Sequence, residues 1–319
     1  MKVHFLVPGD VESRASGGNV YDRHLGPALV DRGWEVVVHH TVPDLDAHDL
    51  VLADSLVVAA QAERLLESRA VVVPLVHMLF DTPGERELLT TAPAVVTTSA
   101  WTQRCLVPAV DPRRIFVAPP GVVHHHVQEA PAGHLVCVAA VRWAKGQDLL
   151  VGALALLTDL DWRCTLVGSL EEDLRFVDRL RKQAADAGIA DRLCFAGELS
   201  GADLAEAWTR AGLTVLPTRT EAYGMVVTES LVRGIPVVAS AVGGVPEAMG
   251  EVDDTHPGML VRTEDPAALA MALRRWLSDA ELRRWLRRAA RQRIASLPRW
   301  QSTAARVQAA LRAAAGAQP

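Results

Sequence analysis

The sequence predicts an α/β protein built from doubly wound parallel sheets, and three observations carry that prediction. Short apolar, β-branched runs alternate with longer amphipathic ones through nearly all of the 319 residues. The apolar runs are almost unbroken, as in strands covered on both faces of a parallel sheet. The alternation stops at residues 119–133 and then begins again, so two similar α/β units stand in tandem. A chain of this length exceeds one ordinary core and suits two domains.

Taken in order, VHFLVPG (3–9) reads as a strand, followed by a Ser/Gly-rich loop and a helix from about 19 to 32 that ends at Gly33. WEVVVHH, LVLADSL, AVVVPLVHM, AVVTTS and IFVAPP continue the strands to about residue 120. PPGVVHHHVQEAPAG has prolines, glycines and no periodicity, the signature of a linker. The second unit runs HLVCVAAV, a helix over 147–158, WRCTLVGS, a helix over 172–187, RLCFAGEL, a helix over 202–211, LTVLPT, a helix over 223–233, IPVVASAV and GMLVR. From about residue 265 the chain is helical. The expected domains are 1–122, a linker over 123–133, 134–297, and a helix over 298–319 packing back on the first domain. Ligands of such sheets bind beyond the carboxyl ends of the strands. The functional loops are therefore expected just after strands, at a cleft between the two domains.

Composition removes several classes of function. The net charge of −5 gives no electrostatic reason to expect nucleic acid. Four cysteines, Cys105, Cys137, Cys164 and Cys194, show no paired spacing and read as buried structural thiols in a reducing compartment. The N-terminal MKVHFLVPGD lacks a signal peptide's pattern, and no apolar run reaches the ~20 residues of a membrane span. The reading is a cytoplasmic protein. Trp276, Leu277, Leu282, Trp285, Leu286 and Ile294 form an apolar stripe among arginines in the C-terminal helices. Packing on the domain is the first reading of that stripe, and weak peripheral contact with an anionic membrane the second. Oligomeric state is not legible.

Three loops carry candidate chemistry. ASGGNVYDRHL (15–25) places Gly17, Gly18 and Asn19 between the first strand and a helix start, where backbone N–H groups can approach a phosphate. A tight strand-to-helix turn explains the same glycines, and the acidic partner of a dinucleotide site is missing, which disfavours a dehydrogenase. VRWAKGQDLL (141–150) puts Arg142 and Lys145 before a helix, where they can neutralise phosphate. TEAYGMVVTESLVRGIPVVASAVGGVPEA (220–248) sets Glu221 in the loop after a buried strand and Glu229 eight residues later. Eight residues are just over two helical turns, so Glu229 is expected near the same side, one layer deeper. Free N–H groups at Tyr223–Met225 would lie between the two carboxylates. That arrangement suits a sugar, a diphosphate and a ribose in line. A surface pair of glutamates is the plainer alternative.

E-A-Y-G-M-V-V-T-E, followed by L-x-R-G-I-P-V-V-A and V-G-G-V-P-E, resembles the E-x7-E segment of the family-4 retaining glycosyltransferases. The resemblance covers nearly the whole chain, including S-G-G-N, L-V-H-M, V-V-T-T-S-A-W-T, P-P-G and K-G-Q-D-L-L. It implies the GT-B fold, two Rossmann-like domains facing a cleft, with the donor on the second and the acceptor on the first. It implies that Glu229 meets the nucleotide ribose, Glu221 the donor-sugar hydroxyls and Lys145 the diphosphate. Backbone N–H groups at Gly17–Gly18 and at Tyr223, Gly224 and Met225 would meet sugar and diphosphate. His77 would sit by the donor sugar at the reacting face. The base would stack near Gly197–Leu199, and Ser99 and Trp101 would lie on the acceptor side. One departure stands out: the family usually carries an arginine five residues before the lysine, and this chain has Ala140 there. Ala144 stands directly before the lysine, and Arg142 offers a shifted substitute.

The implied reaction moves a sugar from a nucleoside-diphosphate sugar, of uridine or guanosine type, to a hydroxyl acceptor that is a small molecule or a lipid. Retention would come from same-face substitution, with no resident cofactor. No metal is expected, since no D-x-D appears in a suitable context and His124, His125 and His126 sit in the linker without ligand spacing. The alternatives are a non-catalytic nucleotide-sugar binder, motivated by Ala140, and a GT-B epimerase or phosphorylase.

Overall fold

The Val/Leu-rich runs pair as parallel strands in two separate six-stranded sheets in the computed structural model. It describes residues 1–12, 16–127 and 129–316. Ala15 of the expected first loop, Gln128 of the expected linker and residues 317–319 of the expected last helix lie outside the described residues. The chain divides into one unit of residues 1–122 and 298–319 and a second of residues 123–297.

The first unit runs β1 (Lys2–Leu6), α1 (Gly17–Val30), β2 (Glu35–His39), β3 (Leu50–Asp54), α2 (Ser55–Glu67), β4 (Val71–Val76), α3 (Pro83–Thr91), β5 (Val95–Thr97), α4 (Ala100–Leu106) and β6 (Ile115–Val117). Its sheet order is β2-β1-β3-β4-β5-β6. The central strands are buried on both faces, and β3 is buried at every position. The second unit runs β7 (His134–Val138), α5 (Gln147–Ala155), β8 (Arg163–Val167), α6 (Leu174–Asp186), β9 (Leu193–Gly197), α7 (Gly201–Arg210), β10 (Leu213–Leu216), α8 (Met225–Leu231), β11 (Val237–Ser240), α9 (Val245–Met249), β12 (Gly258–Val261), α10 (Pro266–Ser278) and α11 (Ala280–Arg293). Its order is β12-β11-β10-β7-β8-β9.

The last helix, α12 (Trp300–Gly316), belongs to the first unit. Ala304, Val307, Leu311 and Ala314 are buried at helical spacing, so one stripe faces that unit's core. Gly121 lets the chain meet this helix, because a Cβ there would stand 2.3 Å from the Trp300 nitrogen.

Two expectations need correction. The helix expected over 223–233 spans only Met225–Leu231, because Gly224 takes a left-handed conformation (φ 94°) as its N-cap. Glu221 lies in the loop before this helix, as expected, so the two-turn phase argument linking it to Glu229 does not apply. Only Cys137 and Cys164 are buried; Cys105, on α4, and Cys194, on the edge strand β9, are exposed, and all four are free. The stripe of α10 and α11 packs on the second unit, the first of its two readings. Trp276 and Leu286 are buried in the core of the second unit, and Leu277, Leu282 and Trp285 pack against it. Among the described residues no helix is long and apolar enough to cross a membrane.

Candidate functional site

In the first unit, the parallel register sets the end of β3 beside the end of β4, with Asp54 opposite Leu75. The backbone N–H of His77, one residue past β4, donates to Ser55 Oγ at 3.2 Å. The imidazole Nε2 then lies 3.1 Å from Asp22 Oδ1 and 3.3 Å from Asp54 Oδ2. Both carboxylates are buried. Asp22 comes from α1, whose first turn is fixed by Ser16 accepting from the Asn19 N–H. Gly18 lies against the His77 ring, where a Cβ would be 3.3 Å from its Cδ2. Tyr21 meets the ring edge-on at 4.9 Å.

Burial raises the Asp22 carboxyl to about 7, with His77 pulling it back and Asp54 pushing it further up. Burial alone would lower His77, but the charges of Asp22 and Asp54 and the Asp22 hydrogen bond raise it. An imidazole nitrogen between two carboxylates is the geometry of a ring that keeps its proton there. Asp22, Asp54 and His77 also form the one group among the described residues that could hold a metal ion, with one ligand atom from each lying within 4.8 Å of the others. Among the described residues, His124, His125 and His126 belong to no such group.

The other first-unit candidates do different work. The buried Asn19 side chain donates to the Asp10 backbone oxygen at 3.1 Å. Ser99 is fully buried, and its hydroxyl caps α4 by accepting from the Thr102 N–H at 3.0 Å. Its side chain offers no surface to an acceptor. Trp101 is half-buried in the first turn of α4.

In the second unit the loops after β7 and β10 are locked together. Gly146 is left-handed (φ 70°), and a Cβ there would lie 2.1 Å from the Pro217 oxygen. The Arg219 N–H donates to the Ala144 oxygen at 2.9 Å. The Arg219 guanidinium grips Asp148 with two hydrogen bonds of 2.8 Å, pairs with Glu264 and lies over the Trp143 ring. Across this clamp Lys145 Nζ donates to Glu221 Oε2 at 2.7 Å. The two side chains are 20% and 18% exposed.

The Gly-Gly turn that follows β11 holds Glu221 from behind. The Gly244 N–H donates to the Glu221 backbone oxygen at 3.0 Å. A Cβ at Gly243 would overlap that oxygen at 1.7 Å. Tyr223 is buried, and burial raises its phenol. Glu229 stands in the second turn of α8, and burial raises its carboxyl against the opposing pull of Arg233. Arg142 leans toward Glu172 at 3.8 Å and is 39% exposed. Ala140 uses its backbone oxygen to accept from Gln147 Nε2 at 3.0 Å. Gly197 ends β9 with φ 73°, and Leu199 packs on the small apolar cluster around Trp208.

The structure thus brings together Gly18 with His77 in one unit, and Lys145, Glu221 and the Gly224 turn in the other. Sequence reasoning missed Asp22, Asp54 and Arg219. An acid closing a buried strand, as in L-V-L-A-D, was the available signal for Asp54. Nothing local marked the other two.

Residues 130–293 match the family described as glycosyl transferases group 1, about half of the chain. A D-inositol 3-phosphate glycosyltransferase from Acidothermus cellulolyticus is 35% identical over 65% of this chain and 50% of its own length. The enzyme of that name from Geodermatophilus obscurus is 34% identical over 73% of this chain and 55% of its own. The chain spans about half the length of these curated relatives. Among solved structures, a sucrose-phosphate synthase from Thermosynechococcus elongatus superposes with a TM-score of 0.83 at 22% identity, covering 100% of both chains. Anabaena HepE, solved in complex with UDP-glucose, has a TM-score of 0.81 at 17% identity over 98% of this chain and 99% of its own. Two parallel six-stranded α/β units with these neighbours make the fold class GT-B, as expected.

Proposed function

Because the chain belongs to the group 1 glycosyl transferases, we propose that it transfers a sugar from a nucleoside-diphosphate sugar to a hydroxyl acceptor with retention at the anomeric carbon. The observation that carries the reading is the Lys145–Glu221 pair, held across the Gly146 and Gly243–Gly244 turns inside the matched segment. A lysine already ordered by a carboxylate is positioned before any ligand arrives, which is what electrostatic stabilisation of a leaving group requires. Solved neighbours hold UDP or UDP-glucose, which favours a uridine-type donor.

In this mechanism Lys145 and Arg142 face the diphosphate, with backbone N–H groups at Tyr223–Met225. Glu221 orients donor hydroxyls and Glu229 the ribose. The bond from the anomeric carbon to the diphosphate oxygen breaks through an oxocarbenium-like transition state. The acceptor oxygen attacks on the same face, and its proton passes to the departing diphosphate. His77 steadies the sugar. Chain cations supply the charge stabilisation, so turnover is expected to survive a chelator.

The diphosphate side favours a second reading: Ala140 stands where the family usually has an arginine, and Arg142 leans toward Glu172. A nucleotide-sugar binder without turnover would be built this way. A product assay separates the two. Nucleoside diphosphate released together with a glycosylated acceptor, its new linkage of the donor's anomeric configuration by NMR, supports transfer. Donor binding without release supports the binder, and an inverted linkage rules out retention.

A further inference from the structure

Three large apolar side chains in a row, Met78, Leu79 and Phe80, are exposed directly after His77, at 42%, 38% and 37%. The loop that carries them is fixed. Its start is held by the His77 N–H on Ser55 Oγ. Its end is held by the buried carboxylate of Glu85, which accepts from the N–H groups of Phe80 at 2.9 Å and Asp81 at 2.6 Å. Asp81 takes a left-handed conformation (φ 60°) to allow this. Thr82 caps α3, and Gly84 lets that helix press on α2, since a Cβ there would stand 2.6 Å from the Ala62 Cβ. A strained loop tied at both ends that turns three apolar side chains outward, beyond the carboxyl end of a parallel strand, has the form of a binding surface.

Charge and size narrow the occupant. The charges at this edge are engaged: Asp22 and Asp54 lie buried against His77, and buried Glu85 accepts from the loop's N–H groups. The loop's arginine, Arg86, is paired with Asp81 at 2.7 Å. A phosphorylated ligand would find the cations named here already paired, whereas an uncharged one needs none. Three residues reach at most ~10 Å, and each side chain is already more than half covered. That suits one ring-sized body, not a membrane face.

We propose that Met78, Leu79 and Phe80 form an acceptor subsite for a small uncharged alcohol, its hydroxyl at His77 and its apolar ring system over the loop. The proposal rests on the glycosyl-transfer reading for the role of His77, and it separates this chain from an enzyme acting on an inositol phosphate.

The test uses the full chain with UDP-glucose as donor, naphthol as the apolar acceptor probe and inositol 3-phosphate as the charged one. Naphthol binding is read by saturation-transfer NMR and transfer by product formation, in wild type and in Met78→Ser/Phe80→Ser. The expected result is naphthol binding and transfer, with KM raised about tenfold in the variant through lost apolar burial, and unchanged UDP affinity. Naphthol bound equally by both proteins, or transfer to inositol 3-phosphate in preference to naphthol, overturns the proposal. So does wild-type co-sedimentation with phosphatidylcholine vesicles that the variant loses, or a wild-type dimer that the variant breaks. If UDP does not bind at all, the transferase reading falls, while naphthol binding still reports on the loop.

Discussion

Lys145 Nζ donates to Glu221 Oε2 at 2.7 Å, with each side chain about four-fifths buried. Removing one partner of such a pair leaves the other charge uncompensated. Glu221→Gln and Lys145→Met are each expected to lower thermal stability by more than the double variant implies, with a coupling of about 1 kcal/mol or more. In the proposed reaction Lys145→Ala also lowers turnover roughly tenfold to a hundredfold, the loss of one charge-assisted hydrogen bond. Additive stabilities together with wild-type kinetics would remove the pair from the account.

Asp22 and His77 predict a pH dependence of the first unit. Both are raised in the fold, Asp22 to about 7 and His77 above its ordinary value. A carboxyl raised on folding binds its proton more tightly in the native state, so its contribution falls as pH rises between its ordinary value and about 7. His77 acts in the same direction, stabilising below its ordinary value and losing that contribution as pH passes its folded value. The melting temperature of wild type relative to Asp22→Asn should therefore decline from pH 4 to pH 8. A flat difference across that range would mean that the cluster holds no shared proton.

Two glycine substitutions isolate the contact behind Glu221. Gly188 and Gly243 are both left-handed, with φ of 67° and 57°. A Cβ at Gly188 meets nothing within 4 Å, whereas one at Gly243 falls 1.7 Å from the Glu221 oxygen. Gly188→Ala should cost about 1–2 kcal/mol from conformation alone. Gly243→Ala should cost clearly more in chemical denaturation and also reduce turnover by shifting Glu221. Equal losses would show that the turn does not need close approach.

Ser99 acts as a helix cap. Ser99→Ala is expected to lose about 1 kcal/mol of stability and to leave the acceptor KM unchanged. A large rise in KM at unchanged stability would return Ser99 to the acceptor.

The strands were legible because they are buried on both faces, as in VVVPLV, where one chemical pattern serves each position. Glu221 was legible as a loop residue after a buried strand, but its pairing with Lys145 depends on the β10–β7 adjacency, which residue order does not reveal. The cluster of Asp22, Asp54 and His77 draws on α1 and on two neighbouring strand ends, so only strand order and register bring it together. The fate of the cysteines turned on position in the sheet: Cys164 lies on an interior strand and Cys194 on the edge. The helix phase between Glu221 and Glu229 was misread because Glu221 lies in the loop before α8, and a phase count holds only within one helix.

A crystal structure of the chain grown with UDP-glucose tests the central claim most directly. The account predicts the diphosphate within hydrogen-bond reach of Lys145 and the Gly224–Met225 N–H groups, the ribose on Glu229, and the Lys145–Glu221 contact opened toward the ligand. Density for the nucleotide elsewhere, with Lys145 still closed on Glu221, would contradict it.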